Sequence, residues 1–124
     1  MVKVESIYPY TIVEKDGFYG IADQDDNLVV PCVMDEIANR KVEEVGLEFW
    51  ADLFCVEIVK DGRYGFFTQS GKLIEPVYKH FVIDPDSGDI HVKTDKGFGL
   101  LTSPEYVFKR VSAARSLYSE IEVD

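Results

Sequence analysis

The sequence predicts a mostly β protein of one domain, and three observations carry that reading. A six-residue hairpin motif occurs twice at a fixed displacement, apolar and polar residues alternate with a period of two, and Gly, Pro, Asp and Asn punctuate the chain at short intervals. With 124 residues of which 46% are hydrophobic, the chain supports a single core without staples.

The repeat is visible when Lys15-Asp16-Gly17-Phe18-Tyr19-Gly20 is set against Lys60-Asp61-Gly62-Arg63-Tyr64-Gly65, a displacement of 45 positions that runs on in the sequence without a gap to Leu28-Val29 over Leu73-Ile74 and Pro31 over Pro76. A degenerate third copy follows at 34 positions. There Phe98-Gly99-Leu100-Leu101-Thr102 falls on Tyr64-Gly65-Phe66-Phe67-Thr68, and Val107-Phe108 falls on Leu73-Ile74. The units run over about 10–37, 54–82 and 91–111, with an insertion at 38–53 and an acidic tail at 112–124.

Each unit reads as a short meander. Phe54, Val56 and Ile58 alternate with Cys55, Glu57 and Val59, and Asp61-Gly62 then gives the strongest short-range hairpin signal. A strand from Tyr64 to Thr68 ends at the polar turn Gln69-Ser70-Gly71-Lys72, and a third strand carries Leu73-Ile74 before Pro76, which cannot donate to a ladder, ends the pairing. The aromatic-glycine pairs Tyr19-Gly20, Tyr64-Gly65 and Phe98-Gly99 suggest rings lying across bare strand backbone, supplied by the next unit. Three such units are expected to form a curved antiparallel sheet or small solenoid.

Residues 35 to 54 interrupt the pattern. Ile37, Ala38, Val42 and Val45 fit one face of a short helix, and Leu47, Trp50, Ala51 and Phe54 fit another, so a short helical insertion is expected between the first two units. Val2 to Ile7 alternates as a strand and could pair with Ser119 to Asp124 to close the sheet.

The unit that runs from Lys60-Asp61-Gly62-Arg63-Tyr64-Gly65 through Leu73-Ile74-Glu75-Pro76-Val77-Tyr78 resembles the bacterial WG-repeat family. Tyr19, Tyr64 and Phe98 stand where that family has tryptophan, and the third copy lacks the proline. The resemblance implies a β-hairpin scaffold that mediates interactions and brings no established chemistry with it.

Charge narrows the partners. The net charge of -10, from 23 acidic and 13 basic residues, disfavours nucleic acid and anionic membrane and favours a basic protein. Seven acids against Arg40 and Lys41 place half of that charge between Asp35 and Glu57. Trp50 and Phe49, with Glu43, Glu44, Glu48 and Asp52, form the candidate partner-binding surface, because Trp is over-represented among interface anchors. Against it stands the ordinary tendency of a Trp near Leu47 and Phe54 to be core, and of a charge run to be a solvated face.

No catalytic or metal-binding pattern stands out. His80, His91, Cys32 and Cys55 show no ligand spacing, and no GxSxG elbow or phosphate-cradling loop is present. Asp23-Gln24-Asp25-Asp26-Asn27 begins like a calcium loop, but Leu28 stands where Gly is required and Met34 where a bidentate Glu is required, so it reads as a hairpin turn. The opening Met1-Val2-Lys3-Val4-Glu5 lacks the form of a secretory signal, and the cytoplasm, free thiols and no cofactor are expected.

The function these features indicate is a non-enzymatic interaction module, in its specific form an immunity or antitoxin-like inhibitor of a basic protein. The alternatives are a small enzyme or ligand-binding β domain with a pocket assembled from distant residues, and glycan recognition by exposed tyrosines. Exposed strand edges offer a route to a homodimer.

Overall fold

A computed structural model describes residues 1–40, 55–68, 70–83, 89–102 and 105–111. They form twelve strands: β1 Val2–Ile7, β2 Tyr10–Lys15, β3 Phe18–Ala22, β4 Leu28–Met34, β5 Glu36–Arg40, β6 Cys55–Lys60, β7 Arg63–Phe67, β8 Leu73–Tyr78, β9 His80–Ile83, β10 Ile90–Thr94, β11 Gly97–Leu101 and β12 Phe108–Val111. Strands β1 to β4, β5 to β8 and β9 to β12 make three four-stranded antiparallel sheets, each connected in sequence order. The described residues contain no helix.

The turns follow from local sequence. Asp16-Gly17 and Asp61-Gly62 join their strands with both residues at positive φ (56° and 86°, 52° and 76°), the combination whose twist matches a two-residue hairpin. The turns that follow β3 and β7 also match. The Asp23 amide donates to the Asn27 carbonyl at 2.9 Å, and the Thr68 amide donates to the Lys72 carbonyl at 3.0 Å. Asp26 and Gly71 take the positive φ in these two turns.

Register carries the displacements of 45 and 34 into three dimensions. Val13 pairs with Gly20, Ile58 with Gly65 and Val92 with Gly99, and the three aliphatic residues are fully buried. Pairing also breaks the 45-residue displacement inside β4. Leu28 and Leu73 hold equivalent places opposite Ala22 and Phe67, but Val30 then takes the place of Ile74. Val29 is therefore an added residue, and Cys32, not Pro31, stands where Pro76 does.

The prolines do not end the pairing as expected. One residue of β3, Gly20 between Tyr19 and Ile21, faces three of β4, Pro31 to Val33, and β7 and β8 repeat this with Gly65 facing Glu75 to Val77. Pairing resumes at Met34 and Tyr78. Pro31 and Pro76 lie in these bulges on edge strands, where an absent N–H costs no ladder bond.

One correction concerns a strand at a unit boundary. Ile37 and Ala38 lie in β5 opposite Ile58 and Glu57, not on a helix, because pairing with β6 holds the segment extended and strand geometry turns Ile37 into the core. The rest of the expected helix lies outside the described residues. Val2 to Ile7 pairs with β2 across a hairpin that contains the cis bond Tyr8-Pro9; residues 119–124, its expected partner, lie outside the described residues.

Sheet packing follows side-chain alternation. Ile12, Ile21 and Val30 of the first sheet meet Ile37, Val56, Ile58 and Phe67 of the second in one cluster. Phe66, Ile74 and Tyr78, on the other face of the second sheet, meet Ile90, Val92 and Leu101 of the third. Adjacent Phe66 and Phe67 thus serve different layers, and the second sheet is apolar on both faces. Edge-on contacts tie the layers: Tyr10 to Phe67 at 5.0 Å and Phe66 to Phe81 at 5.0 Å between ring centroids.

Single residues turn the corners between sheets. The Asp35 amide donates to the Val59 carbonyl and the Lys79 amide to the Lys93 carbonyl, so each corner is fixed to the hairpin of the sheet it enters.

Candidate functional site

Phe49, Trp50, Glu43, Glu44, Glu48 and Asp52, the residues from which a partner-binding surface was expected, lie outside the described residues. Candidate chemistry elsewhere is judged from what the folded strands bring together.

The histidines lie on one face of the third sheet as diagonal neighbours, because His80 pairs with Lys93 and His91 with Val82. His80 is exposed at the start of β9, and His91 is buried in the central strand β10, between Val82 and Leu100 in register. Cys32 is a free, half-buried thiol in the β4 bulge, where it packs over Gly20. Among the described residues no group of three or more His, Cys, Asp or Glu side chains is placed to hold a metal ion.

The acidic segment Asp23 to Asn27 forms a turn. One oxygen of the Asp23 carboxylate accepts from the amides of Asp25 and Asn27, both at 2.9 Å, and Thr68 plays the same part in the second sheet by accepting from the Lys72 amide at 3.0 Å. The oxygen is committed to the backbone, as the turn chemistry of Asp predicts.

A second carboxylate organises the hairpin ahead of it. Asp35 accepts from the Asp61 amide at 2.7 Å, while Lys60 donates to the Val33 carbonyl at 3.0 Å. Sequence reading passed over Asp35 because it counted the residue only as charge in an acidic run. In the third sheet Asp95 lies 3.4 Å from Arg63 and 3.7 Å from Lys79, an exposed pairing that bridges the second and third sheets.

Two phenols are perturbed. The Glu14 carboxylate, accepting from the Tyr19 hydroxyl and adding its charge, holds Tyr19 above the ordinary tyrosine range. Burial does the same for Tyr78, whose ring stacks on Phe108 at 6.0 Å. Both phenols are therefore neutral at physiological pH, which suits packing and hydrogen bonding rather than nucleophilic chemistry.

Acidic side chains concentrate toward the start of the stack. Residues 1–36 hold Glu5, Glu14, Asp16, Asp23, Asp25, Asp26, Asp35 and Glu36 against Lys3 and Lys15, whereas β10 to β12 and their turns hold Lys93, Lys96, Lys109 and Arg110 against Asp95 and Glu105. The described residues contain no helix long and apolar enough to cross a membrane. Comparisons with protein-family models, with curated proteins and with solved structures find no match.

Proposed function

We propose that this chain is a non-enzymatic interaction module of WG-repeat type, three hairpin units stacked into a short curved array, that binds a basic protein through an acidic surface. The observation that carries the reading is the charge distribution: half of the net charge of -10 falls between Asp35 and Glu57, around the single tryptophan. Such a field accelerates encounter with a cationic partner and rejects anionic ones. Trp50 and Phe49 supply the apolar anchor, and Glu43, Glu44, Glu48 and Asp52 supply the charge. In its specific form the module is a cytoplasmic antitoxin-like inhibitor that covers a basic toxin.

The matching displacements of 45 and 34 in sequence and in strand register support the repeat-array part of this reading. They add nothing to the identity of the partner, which rests on charge.

The test is affinity capture from the source cell's lysate at low and high salt, followed by titration of the purified captured protein. Wild type is compared with Trp50→Ala and with a Glu43→Gln, Glu44→Gln, Glu48→Gln, Asp52→Asn variant. One basic protein should be retained, released by salt, and bound at least about tenfold more weakly by each variant, the loss of about 1.4 kcal/mol expected of an interface anchor. Binding equal to wild type in both variants would remove these residues from the interface. Retention of only acidic or no proteins would overturn the reading.

A further inference from the structure

We propose that Asp16-Gly17 is a site of spontaneous isoaspartate formation, and that Asp35 shields the equivalent Asp61-Gly62 from the same reaction. Both pairs are exposed two-residue turns at positive φ, and a Cβ at Gly17 or Gly62 would meet nothing within 4 Å, so the space around each is open. The amide of the second turn residue lies between the paired positions, outside the ladder that joins Lys15 to Phe18 and Lys60 to Arg63.

The chemistry is an isomerisation with no added reagent but water. The Gly nitrogen attacks the Asp side-chain carboxyl carbon, a C–N bond forms, and water leaves to give a succinimide. Water then adds at the former main-chain carbonyl, the bond from that carbon to the Gly nitrogen breaks, and the chain continues through the side-chain carbonyl. The aspartate α-carboxylate becomes a free side group, and the main chain gains one carbon.

Ring closure brings the side-chain carboxyl onto the following nitrogen, which requires the Asp backbone to rotate out of its left-handed turn conformation. The two turns differ at that step. The Asp61 amide is held by the Asp35 carboxylate at 2.7 Å, and neighbouring Lys60 is tied to the Val33 carbonyl. Asp35 is itself fixed, because its amide is bonded to Val59 as the corner residue between the first two sheets. Among the described residues no side chain accepts from the Asp16 amide. Local opening, which precedes cyclisation, is therefore easier at Asp16. An isoaspartate there lengthens a turn whose two-residue geometry sets the twist and register of β2 and β3. It would also make the hairpin a substrate for a methyltransferase that recognises isoaspartyl carboxylates.

The experiment is incubation of the full chain at 37 °C and neutral pH, with isoaspartate at each site quantified over weeks by peptide mapping with electron-transfer fragmentation. Asp16 should convert about fivefold faster than Asp61, the change in an opening equilibrium that one ordinary hydrogen bond supplies. Asp35→Ala should bring Asp61 to the rate of Asp16, Asp35→Asn, which keeps an acceptor, should restore part of the protection, and in strong denaturant the two sites should react alike. Equal rates in the folded wild type, or a persisting difference in denaturant, would overturn the proposal. So would an Asp61 rate unmoved by Asp35→Ala in a variant that still melts cooperatively.

Discussion

The second and third sheets solve one packing problem in two ways. Each has a glycine in its third strand opposite a fully buried aliphatic residue, Gly65 opposite Ile58 and Gly99 opposite Val92. In the second sheet the edge strand bulges so that its own backbone covers the glycine: a Cβ at Gly65 would lie 2.6 Å from the Pro76 nitrogen and 2.7 Å from the Glu75 carbonyl carbon, and would also strike the Ile74 carbonyl oxygen. The first sheet does the same, with the Val30 carbonyl oxygen 2.6 Å from a Cβ at Gly20. In the third sheet β12 pairs with β11 without a register shift, and the Phe108 ring lies over Gly99 instead. The proline missing from the third copy is thus matched by a missing bulge. Covering ring and glycine belong to one sheet, which corrects the expectation that the ring would come from the next unit.

This difference separates what an added methyl group does in each place, and the largest expected effect is here. Gly65→Ala presses a Cβ onto backbone that cannot swing aside, and should cost about 3 kcal/mol. Gly99→Ala meets a side chain that is 39% exposed and can rotate outward, while alanine also restricts the unfolded chain. It should cost about 1 kcal/mol or less. Urea denaturation midpoints at constant slope measure both, and equal costs would show that bulge and ring are equally rigid covers.

Much of this fold was legible because its signals are local. The Asp-Gly pairs set two hairpins, the period-two alternation set the central strands, and the repeated spacing carried one unit onto the next. What escaped depends on pairing between strands. The first strand of the second sheet, β5, follows β4 after one residue, and its short run of Ile37 and Ala38 reads equally as a helical face until Ile58 lies across from Ile37. The added residue Val29 was invisible because Pro31 aligns with Pro76 in sequence, whereas the bulge is defined by which carbonyl lies over the glycine. Of the candidate site, the turn at Asp23 was legible from turn chemistry. The role of Asp35 was not, since it depends on a hairpin 26 positions away.

The same comparison extends to the seam between these two sheets, where Tyr78 of the second stacks on Phe108 of the third. Burial raises the Tyr78 pKa in the folded protein, so the native state holds the phenolic proton more tightly than the unfolded chain. The resulting stabilisation is fully present below the unfolded value, about 10, and is lost as pH rises through the higher native value. Melting temperature should therefore fall above about pH 10. Tyr78→Phe should flatten part of that fall while changing neutral-pH stability by no more than about 1 kcal/mol. A variant whose alkaline melting curve follows wild type would place the sensitivity at another tyrosine, with Tyr19, raised by its bond to Glu14, the next to replace.

The smallest expected effect concerns the exposed tie across the same seam. Asp95 accepts from Arg63 at 3.4 Å and lies 3.7 Å from Lys79, but its side chain is 69% exposed, so water and salt screen both attractions. Asp95→Ala should cost no more than about 0.5 kcal/mol, and high salt should shrink even that. The equivalent hairpin of the second sheet is tied differently, by the Asp35 carboxylate on a backbone amide at 2.7 Å, a directed bond that does not rely on a mobile cation. Asp35→Ala should therefore cost about 1 kcal/mol with little salt dependence. Equal costs with equal salt dependence would mean that the corner between the first two sheets is held by charge as loosely as the seam between the second and third.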